Sequence, residues 1–386
     1  MTHARFFAES PEEVGVDSGK LLELFARAEK EVKDGLLPAV QVAVARRGKI
    51  AGMRTFGAAA PDTLFTVFSA TKAITSAAVW LLLQERKLRL DELVGDVLPG
   101  FGENGKERVT VLHLLLHTAG FPYAPLGHPE WSTREGRLAR YRRWRLSWPT
   151  GSRYEYHPTS GMWVLSDLVT ERSGQDFRAF VRERVALPLG LDDLWVGLPR
   201  EHSARVANIV HVGEEVSDAE LAAIGAKRPP QTEVNEETLG RFNDPAVREV
   251  GVPGGGGLMT AAELALLYQA FLTGRAPDGS VIWQPETLAL ARTVLSGDLR
   301  DPLTGVQTNR GLGIVIAGDD SRNLRGFGRT GSERMFGHNG AGGQLAFADP
   351  ESGLSLGYVT NGMDRNFLRL GRRGVAIASR AAVCEL

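Results

Sequence analysis

The clearest signal in this chain is a change of hydrophobic period along its length. From Val16 to Asp34, apolar residues fall at Leu21, Leu22, Leu24, Phe25, Ala28 and Val32, with Lys and Glu between them. That spacing predicts an amphipathic helix, and Asp17 or Ser18 is placed to cap it. The next stretch, Ala39-Val40-Gln41-Val42-Ala43-Val44-Ala45, is short, apolar and rich in β-branched residues. Arg46-Arg47-Gly48 breaks it as a turn, and Ile50 to Phe56 predicts the returning strand. Leu64 to Phe68 leads into Ser69, after which Ala70 to Arg86 is helical in spacing. Further helices are predicted at Thr110 to His117, Met162 to Arg172, Phe177 to Val185 and Ala261 to Leu272, joined by Pro/Gly loops. Strand patterns return at Gly311 to Ala317, Leu345 to Ala348 and Leu354 to Thr360, before a last helix from about Arg365 to Ala382.

The two ends of the chain therefore supply strands and flanking helices, and the middle supplies helices. Hairpins rather than crossovers join the strands. The predicted fold class is α/β of the α+β kind: an antiparallel sheet flanked by helices, plus a helical part. The expected division is one catalytic unit, with an α/β subdomain at about 1–68 and 300–386 and a mainly helical subdomain at about 69–299.

Composition narrows the function classes. Lys+Arg number 45 and Asp+Glu 46, for a net charge of -1. That balance removes the electrostatic reason to expect a nucleic-acid or membrane-surface partner, and it leaves a homo-oligomer open. The single cysteine, Cys384, rules out an internal disulfide and any cysteine metal cluster. The apolar stretch Ala73 to Leu83 is too short to span a bilayer, and Lys72 and Glu85 flank it. With no apolar run of signal-peptide length in Met1 to Val14, a cytoplasmic protein is expected, or one whose leader lies outside this sequence.

Three elements carry candidate chemistry. In Ser69-Ala70-Thr71-Lys72, serine and lysine stand three apart, on one face of a helix start. A serine hydroxyl needs a base to become a nucleophile. A lysine buried beside the apolar run would lose its proton and serve as that base. In Gly151-Ser152-Arg153-Tyr154-Glu155-Tyr156-His157-Pro158, a loop tyrosine before a helix offers Tyr156 as a general base or a proton relay. A core tyrosine is the competing reading. In Phe336-Gly337-His338-Asn339-Gly340-Ala341-Gly342-Gly343, glycines permit close backbone approach to a ligand. His338 would titrate near neutrality if it faced a cleft.

Together these elements resemble the serine β-lactamase and penicillin-binding-protein superfamily. The first is its S-x-x-K. Tyr156-His157-Pro158 resembles the Y-x-N motif of class C β-lactamases, and His338-Asn339-Gly340 the K-T-G strand in the H-x-G form of related esterases. Thr110 to Gly120 and Gly254 to Thr260 extend the match, so the resemblance runs from about residue 12 to about residue 375. The nearest subgroup is the family VIII carboxylesterases. The resemblance implies a serine β-lactamase-like fold with Ser69 as nucleophile, Lys72 and Tyr156 as proton partners, and the N–H groups of Ser69 and Ala341 as oxyanion hole. It places His338, Gly340, His157 and Pro158 beside the substrate, and it implies neither cofactor nor metal. Pro158 and His338 depart from class C, where asparagine and lysine stand. The departures favour a small-molecule ester, short-chain, over a β-lactam.

Other readings weigh less. Gly353-Leu354-Ser355-Leu356-Gly357 fits a G-x-S-x-G elbow, but it falls inside a predicted strand and no histidine follows it. His113 and His117 are four apart without the H-E-x-x-H glutamate. β-Lactamase or D-amino-acid peptidase activity, acyl transfer to an alcohol, and an acylation sensor without turnover share the same acyl-enzyme step. The arginines from Arg134 to Arg145 read either as a solvated helix face or as an anion-attracting rim, and Trp131, Trp144 and Trp148 as pocket walls.

Overall fold

A computed structural model describes residues 2–225, 228 and 233–386. Its main sheet has six strands in the order Lys49–Gly57, Ala39–Arg46, Leu354–Thr360, Leu345–Ala348, Phe336–Gly337, Val315–Ile316. Every neighbouring pair is antiparallel. The sequence pattern placed the first four strands within a residue or two. The predicted strand Gly311 to Ala317 shrinks to Val315–Ile316, because Gly311 and Gly313 turn the backbone instead of extending it; Gly313 has φ +75°.

The alternation of side chains explains the layers. Val40, Val42, Val44, Leu354, Leu356 and Tyr358 point to one face, into a core shared with Leu21, Leu24, Phe25 and Ile377. Those partners come from the helices Ser18–Lys33 and Phe367–Ala381. Ala39, Ala43 and Ala45 point to the other face, into the larger core. Their small side chains let the helix Ala261–Thr273 lie close to the sheet; a Cβ on Gly357 would sit 2.2 Å from the Ala261 carbonyl. Gln41, on that same face, caps this helix by accepting from Ala261 N at 3.1 Å.

The helix Thr71–Gln84, buried from Thr71 to Leu82, threads the larger core against Ser160–Ser173. A helix buried all round needs no amphipathic stripe, and this one has none. The middle of the chain also holds short strands that carry no sequence signal. Phe65–Thr66, Gly257–Met259 and Trp195–Val196 form a three-stranded sheet beside Ser69. No helix among the described residues is long and apolar enough to cross a membrane.

Candidate active site

Ser69 sits where a strand turns into a helix. Phe65–Thr66 pairs with Gly257–Met259, and Val67 N donates to Gly257 O at 2.9 Å. Phe68 then adopts φ +45°, a left-handed conformation that costs a non-glycine residue about 1–3 kcal/mol. One 3₁₀ turn, Phe68–Ala70, feeds the helix Thr71–Gln84. The Thr71 hydroxyl holds this corner, donating to Phe68 O at 2.5 Å and accepting from Gly257 N at 2.8 Å.

Lys72, one turn on, exposes no surface. Its Nζ lies 3.1 Å from Ser69 Oγ, 2.6 Å from Pro158 O and 2.7 Å from Gly254 O. The two carbonyls come from separate loops that touch: a Cβ on Gly254 would stand 2.9 Å from Pro158 O. Thr75 Oγ1 fixes the second loop by donating to Pro253 O at 2.6 Å. Burial, with the Arg310 charge behind it, holds the Lys72 amine well below the usual lysine range.

Tyr156 stacks over this amine, its ring centre 4.9 Å from Nζ. Burial pushes its phenol up to about 12, against the pull of a hydrogen bond to Ser69 and of the Arg310 charge. That direction favours the protonated phenol.

The segment after Phe336–Gly337 passes so close to the nucleophile corner that a Cβ on Gly340 would lie 2.2 Å from Val67 O. Glycine alone fits there, and the approach brings Ala341 to the wall of the cavity that holds Ser69. That cavity has a volume of about 180 Å³, below the roughly 300–1,000 Å³ of drug-sized ligand sites. Phe68, Trp131, Pro158, Trp163, Phe242 and Ala341 are among its lining residues.

Two predicted substrate contacts are placed elsewhere. His157 spends both ring nitrogens on backbone: Nδ1 lies 2.7 Å from Glu155 O, and Nε2 accepts from Phe121 N at 3.2 Å. It braces the loop that carries Tyr156 and does not line the cavity. His338 is also buried. Its Nδ1 lies 2.9 Å from Asn339 O, and its Nε2 lies 3.3 Å from an Arg310 nitrogen. Burial, then the charges of Arg310 and Lys72, hold its ring well below the ordinary histidine value, so it does not titrate near neutrality as the sequence suggested.

Arg310 is the residue that motif reading missed. Its guanidinium lies 5.5 Å from the ring centres of both Tyr154 and Tyr156 and donates to Tyr154 Oη at 2.8 Å. It faces His338 and is buried. The available signal was a charged side chain heading an apolar, glycine-rich segment. Glu233 was missed as well; it lines the cavity, and burial raises its carboxyl above the usual range against the pull of the Thr159 hydroxyl and Lys72.

The remaining candidates resolve simply. The Thr110 N–H donates to His113 Nδ1 at 3.1 Å, so that ring caps a helix. His117 Nδ1 accepts from His157 N at 3.1 Å. Ser355 lies in a sheet strand and donates to Ala265 O at 2.8 Å, so it is no nucleophile elbow. Arg134 pairs with Glu171 and Arg137 with Asp167, at 2.5 and 2.6 Å, which spends those two charges on the protein's own carboxylates. Of the three tryptophans, Trp131 lines the cavity. Trp144 is buried against Tyr141 and Phe121, and Trp148 lies under the Arg153 guanidinium at 4.3 Å.

Comparison with known proteins agrees with this geometry. A family model described as Beta-lactamase matches residues 25–379. The chain is similar to Esterase/beta-lactamase LipL of Mycobacterium tuberculosis, 27% identical over 317 residues that cover 78% of this chain and 70% of the relative. It superposes on a penicillin-binding-protein homolog from Caulobacter crescentus with TM-score 0.77 and 28% identity, covering 95% of this chain and 98% of the other. A family VIII carboxylesterase gives TM-score 0.77 and 26% identity, covering 95% and 99%.

Proposed function

We propose that this chain, which belongs to the Beta-lactamase family and is a hydrolase of the serine β-lactamase fold, is a carboxylesterase that cleaves short-chain esters through an acyl-enzyme on Ser69. The observation that carries this reading is the set of acceptors around Lys72. A neutral amine has two N–H bonds and one lone pair. The carbonyls of Pro158 and Gly254, at 2.6 and 2.7 Å, take the two N–H bonds. The lone pair is then left for the Ser69 hydroxyl, 3.1 Å away. With its pKa lowered by burial, Lys72 is thereby aimed at the Ser69 hydroxyl.

In the acylation step Ser69 Oγ forms a bond to the ester carbonyl carbon while its proton passes to Lys72 Nζ. The Ser69 and Ala341 N–H groups receive the developing oxyanion. As the ester C–O bond breaks, Tyr156 Oη gives its proton to the departing alkoxide and regains one from Lys72. Water repeats the sequence in reverse and releases the acid. The esterase relatives support an ester, and the small cavity volume supports a short acyl group.

Intact-mass spectrometry with p-nitrophenyl acetate and butyrate tests this, run beside a panel that includes a chromogenic cephalosporin. The expected result is an acyl adduct that maps to Ser69 and turns over. Turnover of these esters with no dependence on Ser69 would overturn the reading.

A further inference from the structure

The cavity beside Ser69 has an unusual charge arrangement. Among the described lining residues it holds one carboxylate, Glu233, and one cation, Arg241. Arg241 is mostly exposed and paired with Glu237 at 2.5 Å, and burial holds the Lys72 amine well below the usual lysine range. Among the described residues Glu233 has no such partner. Among the described residues its carboxylate has one hydrogen-bond contact, the Thr159 hydroxyl, at a long 3.5 Å. Among the described residues Glu233 is therefore the charged lining group without an ion-pair partner.

The remaining walls are aromatic and aliphatic. Phe68 and Phe242 meet edge to face with ring centres 5.5 Å apart. Trp131 and Trp163 lie 6.2 Å apart at a tilt of 33°. Aromatic faces attract cations, and quaternary ammonium groups, which are weakly hydrated, are bound in structures by such surroundings. A carboxylate in the same cavity adds a point charge in a setting that water screens poorly. A neutral ester would leave that carboxylate under-paired next to apolar surface, which is unfavourable.

We propose that this cavity is a subsite for an organic ammonium group, and that the preferred substrates are esters bearing such a cation in their alcohol or acyl part. This rests on the hydrolase reading above for the position of the reacting carbonyl. The cation binds at Glu233 and the aromatic walls while the ester carbonyl lies at Ser69.

Matched isosteres test it. For the alcohol side, butyrylcholine is compared with 3,3-dimethylbutyl butyrate. For the acyl side, the p-nitrophenyl ester of 4-(trimethylammonio)butyrate is compared with that of 5,5-dimethylhexanoate. The expected kcat/KM ratio of cation to neutral ester is about tenfold or more in at least one pair, the scale of one cation–π contact plus one poorly screened charge. In Glu233→Gln, which keeps the side-chain volume, the ratio should fall to within about threefold of unity. A ratio near unity in both pairs, or one that Glu233→Gln leaves unchanged, overturns the proposal. A binding measurement separates it from the hydrolase reading. Calorimetric titration of benzyltrimethylammonium into Ser69→Ala should show binding that Glu233→Gln weakens about tenfold. Failure of p-nitrophenyl acetate to turn over would sink the hydrolase reading alone, whereas absence of ammonium binding would sink the subsite.

Discussion

Lys72 and Lys106 are held in the same way yet are suited to different work. Both expose no surface, both donate to two backbone carbonyls, and both lie over an aromatic ring. Lys106 reaches the carbonyls of Glu103 and Trp144, the latter at 2.6 Å, with Phe101 at 5.7 Å. The difference lies in the neighbours. Burial lowers the Lys106 amine too; the charges of Glu103 and Glu107 oppose the loss of its proton and that of Arg145 favours it. Lys72 has Arg310 behind it and the Ser69 hydroxyl in front. Each buried amine feels an arginine and an acidic neighbour; the Ser69 hydroxyl in front of Lys72 is what sets it apart.

The harshest way to break that comparison is to remove what the base acts on. Ser69→Ala should take ester turnover to near background, because acylation loses its nucleophile. The change removes one hydroxyl from a half-buried corner, so the melting temperature should barely move. Substantial turnover in purified, folded Ser69→Ala would end the acyl-enzyme account.

Next come the lysines themselves. Lys72→Ala and Tyr156→Phe should each slow kcat by about 10²–10⁴-fold, the usual range for a positioned acid–base group. The double variant should lose much less than the product of the two, since the pair passes one proton. Lys106→Met should do the opposite. It leaves two carbonyls unpaired at about 1–3 kcal/mol each, so denaturant midpoints fall while kcat per folded molecule holds. A kinetic defect in Lys106→Met as large as that in Lys72→Ala would erase the contrast.

A smaller effect belongs to Pro158, whose carbonyl serves Lys72 and whose ring lines the cavity. Class C enzymes, which the chain resembles, have asparagine at this position. A proline ring offers no hydrogen bond to the amide side chain of a β-lactam, and an unpaired buried amide costs about 1–3 kcal/mol. That amounts to a handicap of about 5- to 150-fold. Simple p-nitrophenyl esters should therefore exceed penicillins and nitrocefin in kcat/KM, and Pro158→Asn should narrow the gap. A wild-type preference for the β-lactam would refute this.

The contrast between the two lysines also marks how far the sequence could be read. The strands Leu345–Ala348 and Leu354–Thr360 were legible to the residue, because alternation on a two-faced sheet fixes which residues are apolar. The Ser69–Lys72 spacing and Tyr156 were legible because their chemistry is local, within a turn or a single loop. Arg310 and Glu233 were not. Each is one charged residue among many, and each matters only through what folding sets against it. His157 and His338 misled for the converse reason: the fold turns their ring nitrogens to the backbone and to Arg310. The two-residue strands Phe65–Thr66 and Trp195–Val196 are too short for any period to show.

The finest test concerns Arg310, the buried cation whose charge acts on both Lys72 and Tyr156. Its charge disfavours a second cation on Lys72 and so lowers that amine's pKa. It also lowers the Tyr156 phenol, against the burial that raises it. The signs then follow. In the wild type, kcat/KM rises from acid as Lys72 loses its proton, at a pH well below the ordinary lysine value. Arg310→Met removes the repulsion, so Lys72 holds its proton more tightly and the acid limb moves to higher pH. The Tyr156 limb moves the same way. One pH unit corresponds to about 1.4 kcal/mol, the scale expected for one partly screened charge, so the limb should shift by about one unit. Activity falls about tenfold on that limb and recovers above it. Arg310→Met also strands the Tyr154 hydroxyl and the His338 ring, so some stability is lost whichever account is right. The limb position separates the accounts, because lost packing lowers kcat at every pH without moving the limb. Arg310→Lys keeps the charge and should return the limb most of the way. An Arg310→Met profile with its acid limb where the wild type has it would mean that burial alone sets the proton on Lys72.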